Sequence, residues 1–385
     1  MVSTCAMTWY PPWARLRVVP FKVFNAMDSR KKLVYAVTES GMSLSQACRD
    51  AGVTRKTGRL WVERAKEVGI DALCERSRAP KSSPTRTSQE LEDALVALKE
   101  RYPEWGPRKL VILLQREKEL TLSSRTASQV LLRKGLTKPA PPPRLPLVRF
   151  ERESCGALLQ MDFKGLPKSS PYALLSVLDD YGRFCFHFGP VPDKTRTSVQ
   201  AALWELFGEH GVPRSMLMDN GDCWGAVNSM GPTAFEVWLM LQGVKPIHGR
   251  PGHPETQGKV ERFHGTAKTE MGGKLVQPSA REASLACQAF VQRYNWVRPH
   301  DSLAGQVPGS RYTPFPKKRA AVLPEHRIPE GALTRKVDQD GFLHFKGKPY
   351  RIGKGLFGHT VVLKEEEFGM RIFFQDFPLR YLFEL

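Results

Sequence analysis

The stretch HGRPGHPETQGKVERFHGT, from His248 to Thr266, decides the predicted fold and chemistry. It places Glu261 on a predicted helix. Two aspartates upstream each follow an apolar run, Asp162 in LLQMDFKG and Asp219 in RSMLMDNGD. Two aspartates at strand ends and a glutamate on a helix are the components of a two-metal site for phosphoryl transfer.

The charge of the chain indicates a polyanionic partner. Its 58 lysines and arginines against 39 aspartates and glutamates give a net charge of +19. Residues 1–150 carry 28 basic and 14 acidic side chains, whereas the remaining residues contribute only +5. This favours a nucleic acid as the partner, which we expect to be double-stranded DNA handled mainly by the N-terminal third. The alternative is a generally basic, solvated surface, because a charge excess alone is not specific.

Composition also excludes several classes of protein. The seven cysteines are scattered without a CxxC pair, so neither a zinc ribbon nor a disulfide framework is indicated. All nine histidines follow residue 150, which excludes a His/Cys zinc module at the N-terminus. No apolar run approaches the roughly 18 residues that cross a bilayer. We expect a soluble, cytoplasmic, nucleoid-associated protein of several domains with no membrane partner.

The N-terminal third predicts two helical DNA-binding units. After an unstructured leader (1–26), residues 27–75 read as a helix-turn-helix domain whose last helix, capped by Thr54, turns Leu60, Trp61 and Ala65 inward. A basic linker (76–88), a second helical unit (89–137) and a Pro-rich linker (138–149) follow. The basic residues expected to contact DNA from the two units are Arg55, Lys56, Arg59 and Arg125. An ordinary three-helix bundle with a basic face is the alternative for the first unit.

Residues 150–315 switch to a pattern of strands and helices. Their order, β-β-β-α-β-α-β-α, predicts an α/β ribonuclease-H-like core with a mixed five-stranded sheet, in which three carboxylates on separate elements can converge. A linker (316–332) leads to residues 333–385, whose short alternating strands and turns, such as Lys346-Gly347, predict a small all-β SH3-like barrel.

These motifs together resemble the integrase catalytic core that retroviral integrases share with bacterial insertion-sequence transposases. The motifs that carry the resemblance are Gln160-Met161-Asp162-Phe163, Met218-Asp219-Asn220-Gly221, the run from His253 to His264, Tyr294-Asn295, and Arg298-Pro299-His300 with Leu303. The stretch TRKTGRLW, followed by LCERSRAPKSSP, is similar to the DNA-binding region of the same transposases. The resemblance spans about residues 19–315.

The resemblance implies a DDE-type transposase that uses two Mg²⁺ ions, for which Mn²⁺ can substitute. Asp162 would bridge both ions, Asp219 would hold one and Glu261 the other. The first reaction would use water to nick a transposon end, and the second would join the freed 3′-OH to target DNA. Lys259 and Arg262, beside Glu261, are further candidates for DNA contact. Transposases of this kind act as oligomers that bridge two DNA ends.

Some features leave alternatives open. Asp219 and Glu261 are separated by 41 residues, a longer spacing than in much of the family, and the loop CWGAVNSMG can absorb the extra length. Glu255 is a rival ligand, whereas Asp179, Asp180 and Asp222 read better as hairpin and loop carboxylates. His264 lies on roughly the same helix face as Glu261, and a core position is as plausible as a site role. Two other functions remain, a catalytically inactive transposase-derived DNA-binding regulator and a plain nuclease.

Overall fold

The computed structural model describes residues 26–74, 87–137, 151–221, 224, 231–249, 257–367 and 369–382. The predicted leader and the Pro-rich linker lie outside these ranges but for Ala26, and so does the basic linker but for its last two residues. The chain divides into two compact parts, with the boundary after Arg86.

The described residues of the N-terminal part form three α-helices, α1 (Ala26–Thr38), α2 (Leu44–Asp50) and α3 (Arg55–Val68). Ser43 and Thr54 begin α2 and α3, because their hydroxyls accept hydrogen bonds from the backbone N–H groups three residues later, at 3.3 and 3.2 Å. These bonds satisfy donors that the first turn of a helix leaves without a partner. The predicted helix-turn-helix pattern of helices is therefore present.

Helix α3 packs on α2 through Gly58. A Cβ atom at this position would lie 2.2 Å from Cys48 Sγ, so the approach of the two helices requires glycine. Gly58 and Ala65 are buried, and Trp61 packs against the same cluster. Leu60, predicted to face inward, is 53% exposed, because it lies about 200° around the helix from Gly58. That prediction was wrong.

A second helical unit opens the C-terminal part, with α4 (Gln89–Arg101), α5 (Pro107–Lys118) and α6 (Ser124–Arg133). Leu95, Leu110 and Leu131 are fully buried between these helices. The unit is hydrogen-bonded to the residues that follow. Trp105 Nε1 donates to Glu270 Oε1 at 3.1 Å, which ties the unit to a helix of the core domain.

The core domain is built on a five-stranded mixed sheet in the order β3-β2-β1-β4-β5. Strands β1, β2 and β3 are antiparallel neighbours, whereas β1, β4 and β5 run parallel. The elements are β1 (Leu159–Lys164), β2 (Ala173–Asp179), β3 (Cys185–Val191), α7 (Arg196–His210), β4 (Ser215–Met218), α8 (Ala234–Leu241), β5 (Lys245–His248), α9 (Gly258–Met271) and α10 (Ala280–Trp296). This is the predicted ribonuclease-H-like order.

Both faces of the sheet are covered by helices. Strand β2 is buried along its whole length, and its alternate residues enter different clusters. Leu175 and Val177 pack on the side of α7 and α8, whereas Leu174 and Leu178 pack on the side of α9 and α10. A strand buried on both faces reads as a continuous apolar run, as this strand does in the sequence.

The C-terminal region is all-β, as predicted, and forms two small antiparallel sheets. Its strands are β6 (Leu333–Lys336), β7 (Phe342–Phe345), β8 (Lys348–Arg351), β9 (Thr360–Glu366), β10 (Gly369–Phe374) and β11 (Phe377–Leu382). Four of them pair in the order β11-β10-β9-β6, and β7 pairs with β8. Lys346 and Gly347 join β7 to β8 with φ values of 49° and 74°, the backbone that a two-residue hairpin needs.

This β region packs directly on helix α8. Val237 and Met240 of α8 belong to the same apolar cluster as the interior of the β region. At the start of α8 the two backbones touch. A Cβ atom on Gly231 would lie 1.8 Å from the carbonyl oxygen of Ile352, and one on Gly355 would lie 2.2 Å from the carbonyl carbon of Thr233. The β region is therefore packed against the core domain through α8.

In the part of the chain that the structure describes, no helix combines the length and the apolar character needed to span a bilayer.

Candidate active site

The sheet brings the first two predicted site aspartates together. Asp162 lies within β1, and Asp219 directly follows the parallel neighbour β4. The register pairs Leu159 with Met216 and Gln160 with Leu217, so its continuation sets Asp162 beside Asp219. Glu261 lies in the first turn of α9. Asp162 is half-buried, whereas Asp219 and Glu261 are exposed, which leaves the group open to a large polyanion.

The electrostatics of Asp162 show that the three carboxylates interact. Burial, then the charge of Asp219 and, more weakly, that of Glu261 raise the pKa of Asp162 to about 6. The N–H of Phe163, which donates to Asp162 Oδ1 at 2.7 Å, and the charge of Lys194 act in the opposite direction. An acidic side chain with a raised pKa beside like charges is a common property of functional sites.

His264 connects α9 to the strand pair below it. Its Nε2 atom lies 2.7 Å from Ser176 Oγ, and its Nδ1 atom lies 3.7 Å from Asp162 Oδ2. Burial, together with the charge of Lys164, lowers the pKa of His264 to about 4, so the ring is neutral at physiological pH. A neutral imidazole does not compensate the charge of Asp162. The sequence did not single out Ser176, which faces His264 because it pairs with Asp162 across β1 and β2.

Asp219 is held by Gly221 of its own turn and by Trp224, which the sequence did not identify. Trp224 donates its indole N–H to Asp219 Oδ1, and the backbone N–H of Gly221 donates to the same oxygen at 3.0 Å. The Trp224 ring stacks on Phe163, the residue after Asp162, with centroids 5.0 Å apart. Trp224 therefore contacts both strand ends. It lies in the segment that sequence reasoning treated only as a loop that absorbs extra length.

The backbone of Asp219 is fixed by His248 at the end of β5. His248 Nδ1 lies 3.0 Å from the carbonyl oxygen of Asp219, and Nε2 lies 3.0 Å from Glu236 Oε1. The hydrogen bond with Glu236 raises the pKa of His248, against burial. Burial opposes ionisation of Glu236, but the hydrogen bonds that it accepts from His248 and Thr233 hold its pKa below the usual value. Thr233 and Glu236 form the capping box at the start of α8.

Lys259 has an internal partner that the sequence did not reveal. Its Nζ atom lies 2.5 Å from Asp180 Oδ1 and 3.1 Å from the Asp180 carbonyl oxygen, and its side chain is only 14% exposed. Asp179 and Asp180, predicted to be hairpin and loop carboxylates, lie at the end of β2 and are fully buried. The phosphate contact predicted for Lys259 remains a prediction, since that contact would have to compete with Asp180.

The other predicted DNA-contact residues are accessible. Arg55, Lys56 and Arg59 are exposed at the start of α3, and Arg125 is exposed in the first turn of α6. Arg59 also pairs with Glu63 at 3.0 Å on the helix surface. Arg262 is exposed next to Glu261. Asp222 and Glu255, which were also considered from the sequence, lie outside the described residues.

The donor set suits Mg²⁺ by its chemistry. Mg²⁺ is bound by one or two carboxylates, water and substrate phosphate oxygens, and the three carboxylates here are hard oxygen donors whose mutual repulsion a cation would relieve. Within the described ranges, no three carboxylate, imidazole or thiolate side chains are grouped closely enough to hold an ion by themselves. Asp219 instead turns one oxygen toward Trp224. The residues thus match the ion in type and charge.

Comparison with known proteins identifies the domains. Two models described as integrase core domain match residues 153–254 and 242–308, and a model of a homeodomain-like domain matches residues 57–131. Proteins with an integrase core are polynucleotidyl transferases, and the two kinds of domain together indicate DNA integration or transposition.

Solved structures show a distant likeness. One is the simian T-cell lymphotropic virus intasome in complex with PP2A regulatory subunit B56 gamma, at 15% identity and a TM-score of 0.36, covering 75% of this chain and 99% of that chain. The HTLV-2 integrase catalytic core domain in complex with magnesium, in its trimeric form, is similar at 15% identity and a TM-score of 0.33. The match covers 42% of this chain and 98% of that chain. Its dimeric form is similar at 16% identity and a TM-score of 0.31, covering 41% of this chain and 97% of that chain. The domain models agree with the motifs and with the order of the elements: residues 153–308 match integrase core domains, and residues 57–131 match a homeodomain-like domain.

Proposed function

We propose that this protein is a DNA transposase. It binds the terminal inverted repeats of an insertion sequence, cleaves to free 3′-OH ends and joins those ends to target DNA. The observation that carries the proposal is geometric: the register of β1 and β4 sets Asp162 beside Asp219, and Glu261 lies in the first turn of α9, whose start is hydrogen-bonded to β1.

The three carboxylates are the residues that would hold two Mg²⁺ ions. When bound, the ions supply activation of the attacking oxygen and stabilisation of the leaving oxygen. The chain supplies orientation. Trp224 and Gly221 fix the Asp219 carboxylate, and His248 fixes its backbone. Neutral His264 leaves the negative charge of Asp162 available to a cation.

DNA is bound at several places along the chain in this proposal. The starts of α3 and α6 present Arg55, Lys56, Arg59 and Arg125, in the position from which recognition helices reach the major groove. Arg262 is exposed beside Glu261, where it can contact a phosphate near the cleaved end. Two copies of the protein hold the two ends of the element, and the reaction takes place on the chromosome in the nucleoid.

Strand transfer is the decisive experiment. A labelled, pre-nicked duplex of the terminal repeat that flanks the coding sequence is incubated with plasmid and Mg²⁺. We expect joined product with the unmodified protein and none with Asp219→Asn. Asp376→Asn is the matched control, because it makes the same change at an exposed turn of the C-terminal β region.

Each alternative function gives a different result. Specific binding to the repeat without joining, under Mg²⁺ or Mn²⁺, would identify a catalytically inactive regulator. Cleavage of the duplex without joining would identify a nuclease. Joining that persists in Asp219→Asn would remove Asp219 from the site.

A further inference from the structure

The start of helix α9 is capped by a residue from another element. Gln257 precedes the helix and makes no capping hydrogen bond with its side chain. Instead the buried N–H of Val260 donates to Oε1 of Gln160, at 3.3 Å. The first N–H groups of a helix need partners from outside the helix. Strand β1 supplies this one, two residues before Asp162.

The capping amide is itself held by an ion pair. Gln160 Nε2 donates to Asp180 Oδ1 at 2.9 Å, and Lys259 Nζ donates to the same oxygen at 2.5 Å. The N–H of Arg152 donates to the other oxygen of Asp180 at 2.8 Å. Gln160 and Asp180 are fully buried. We call Gln160, Asp180 and Lys259 the cap network.

The cap network joins the two elements that carry the site. Gln160 and Asp162 lie two residues apart on β1, so they share a face of the sheet. Glu261 directly follows Val260, the residue that Gln160 caps. The network therefore fixes the first turn of α9 on β1 at the place where the distance between the Asp162 and Glu261 carboxylates is set.

We propose that the cap network positions Glu261 relative to Asp162 for metal binding. Gln160, Asp180 and Lys259 are positioning residues, which act on the reaction through Glu261. A buried ion pair is weak evidence for added stability, and fixing one arrangement of the surrounding groups is an attested role for such pairs. This inference rests on the proposed function of the same three carboxylates.

The competing assignment for Lys259 is the phosphate contact predicted from the sequence. The two assignments differ most clearly for Asp180→Asn. If Lys259 binds DNA, this change releases a cation toward the phosphates and leaves joining intact or faster. If Lys259 positions Glu261, the same change removes the anchor of the helix start and slows joining.

The experiment compares Asp180→Asn, Lys259→Met, Lys259→Arg and the double variant Asp180→Asn/Lys259→Met in the full chain. Joining is measured as above, and affinity for the terminal repeat is measured without divalent cations at several salt concentrations. Mn²⁺ binding to the DNA-free protein is followed by electron paramagnetic resonance. The double variant removes both charges, so no buried charge is left unpaired and the fold is retained if a single variant unfolds.

We expect each single variant to slow joining and to weaken Mn²⁺ binding by about 10–100-fold, as is typical for groups that orient metal ligands. DNA affinity stays unchanged, Lys259→Arg restores part of the loss, and the double variant is no worse than either single change. The inference is overturned if Lys259→Met lowers DNA affinity and reduces the salt slope by about 1 while Asp180→Asn joins at the normal rate.

Failure of the proposed function gives a different pattern. The unmodified protein then joins no DNA with any cation. The Mn²⁺ measurement still separates the unmodified protein from Asp180→Asn, because it needs neither DNA nor turnover.

Discussion

Asp162 lies on β1, Asp180 directly follows the neighbouring strand β2, and the surroundings of the two carboxylates are opposite. Asp180 is fully buried and accepts hydrogen bonds from Gln160, Lys259 and the backbone of Arg152. Asp162 is 23% exposed at its side chain, and Asp219 and Glu261 add to the effect of burial in raising its pKa to about 6. A buried carboxylate that accepts hydrogen bonds from protein donors belongs to the framework. A carboxylate that faces like charges is a candidate ligand for a cation.

Glu270 tests the framework side of this contrast and carries the largest expected effect. Its side chain is 6% exposed and accepts hydrogen bonds from Trp105 Nε1 and from Arg298 Nε, at 3.1 and 2.7 Å. Glu270→Ala leaves the mostly buried Arg298 without this partner. We expect the free energy of unfolding of the C-terminal part to fall by about 3–5 kcal/mol, measured by urea denaturation.

The control for this change is Glu117→Ala, which removes an exposed pair with Arg101 in the same C-terminal part. Exposed pairs contribute up to about 1 kcal/mol, so a small effect is expected. Equal effects of the two changes would contradict the distinction between framework and exposed carboxylates.

Asp162→Asn tests the other side of the contrast, the carboxylate that faces like charges. A raised pKa means that the folded protein holds the proton of Asp162 more tightly than the unfolded chain does. The charged form therefore destabilises the fold, and this cost develops as the pH rises from about 4 to about 6. We expect the variant to be more stable than the unmodified protein at pH 7.5 without metal, by about 1–3 kcal/mol.

Thermal denaturation at a series of pH values measures this gain. It should disappear below about pH 4, where Asp162 is protonated in both states. It should also shrink when saturating Mg²⁺ is added, because the cation stabilises only the protein that retains the carboxylate. A constant difference between the two proteins from pH 4 to pH 8 would contradict the electrostatic origin.

The same contrast applies to basic residues, with the smallest expected effect. Lys259 pairs with a buried aspartate, whereas Arg125 is exposed on α6. Arg125→Ala should weaken repeat binding modestly and reduce the slope of log affinity against log salt by about 1. Arg101→Ala is the control, because Arg101 pairs with Glu117 at 3.1 Å on the surface of the same helical unit. Equal slopes of log affinity against log salt for the two variants would contradict the assignment of Arg125 as a DNA contact.

The sequence predicted the order of the elements and the three site carboxylates, because both leave local patterns. Buried strands read as apolar runs, and Asp162 and Asp219 follow such runs directly. The partners of these carboxylates leave no such pattern. Gln160 and Val260 are 100 positions apart, and Lys259 and Asp180 are 79 apart. Burial of Asp180 depends on packing between distant segments. It could therefore not be predicted from the neighbouring residues, which indicate only a carboxylate in a turn.

Trp224 illustrates the same limit within a shorter distance. It follows Asp219 by five positions, in a segment whose composition reads as a loop. Its role depends on stacking against Phe163, which belongs to another strand. The tryptophan itself is the local signal that could have identified this role, since a large aromatic side chain gains most from burial against a packing partner.

The glycine contacts between the β region and helix α8 set the limits of exchange between relatives. Gly231 and Gly355 allow main chain to lie against main chain, so the two surfaces match atom by atom over a short distance. A tail taken from another protein with an integrase core would meet this surface with a different backbone path. The smallest interchangeable segment of this protein is therefore α8 together with its β region, and a chimaera joined at residue 332 would separate two halves of one interface.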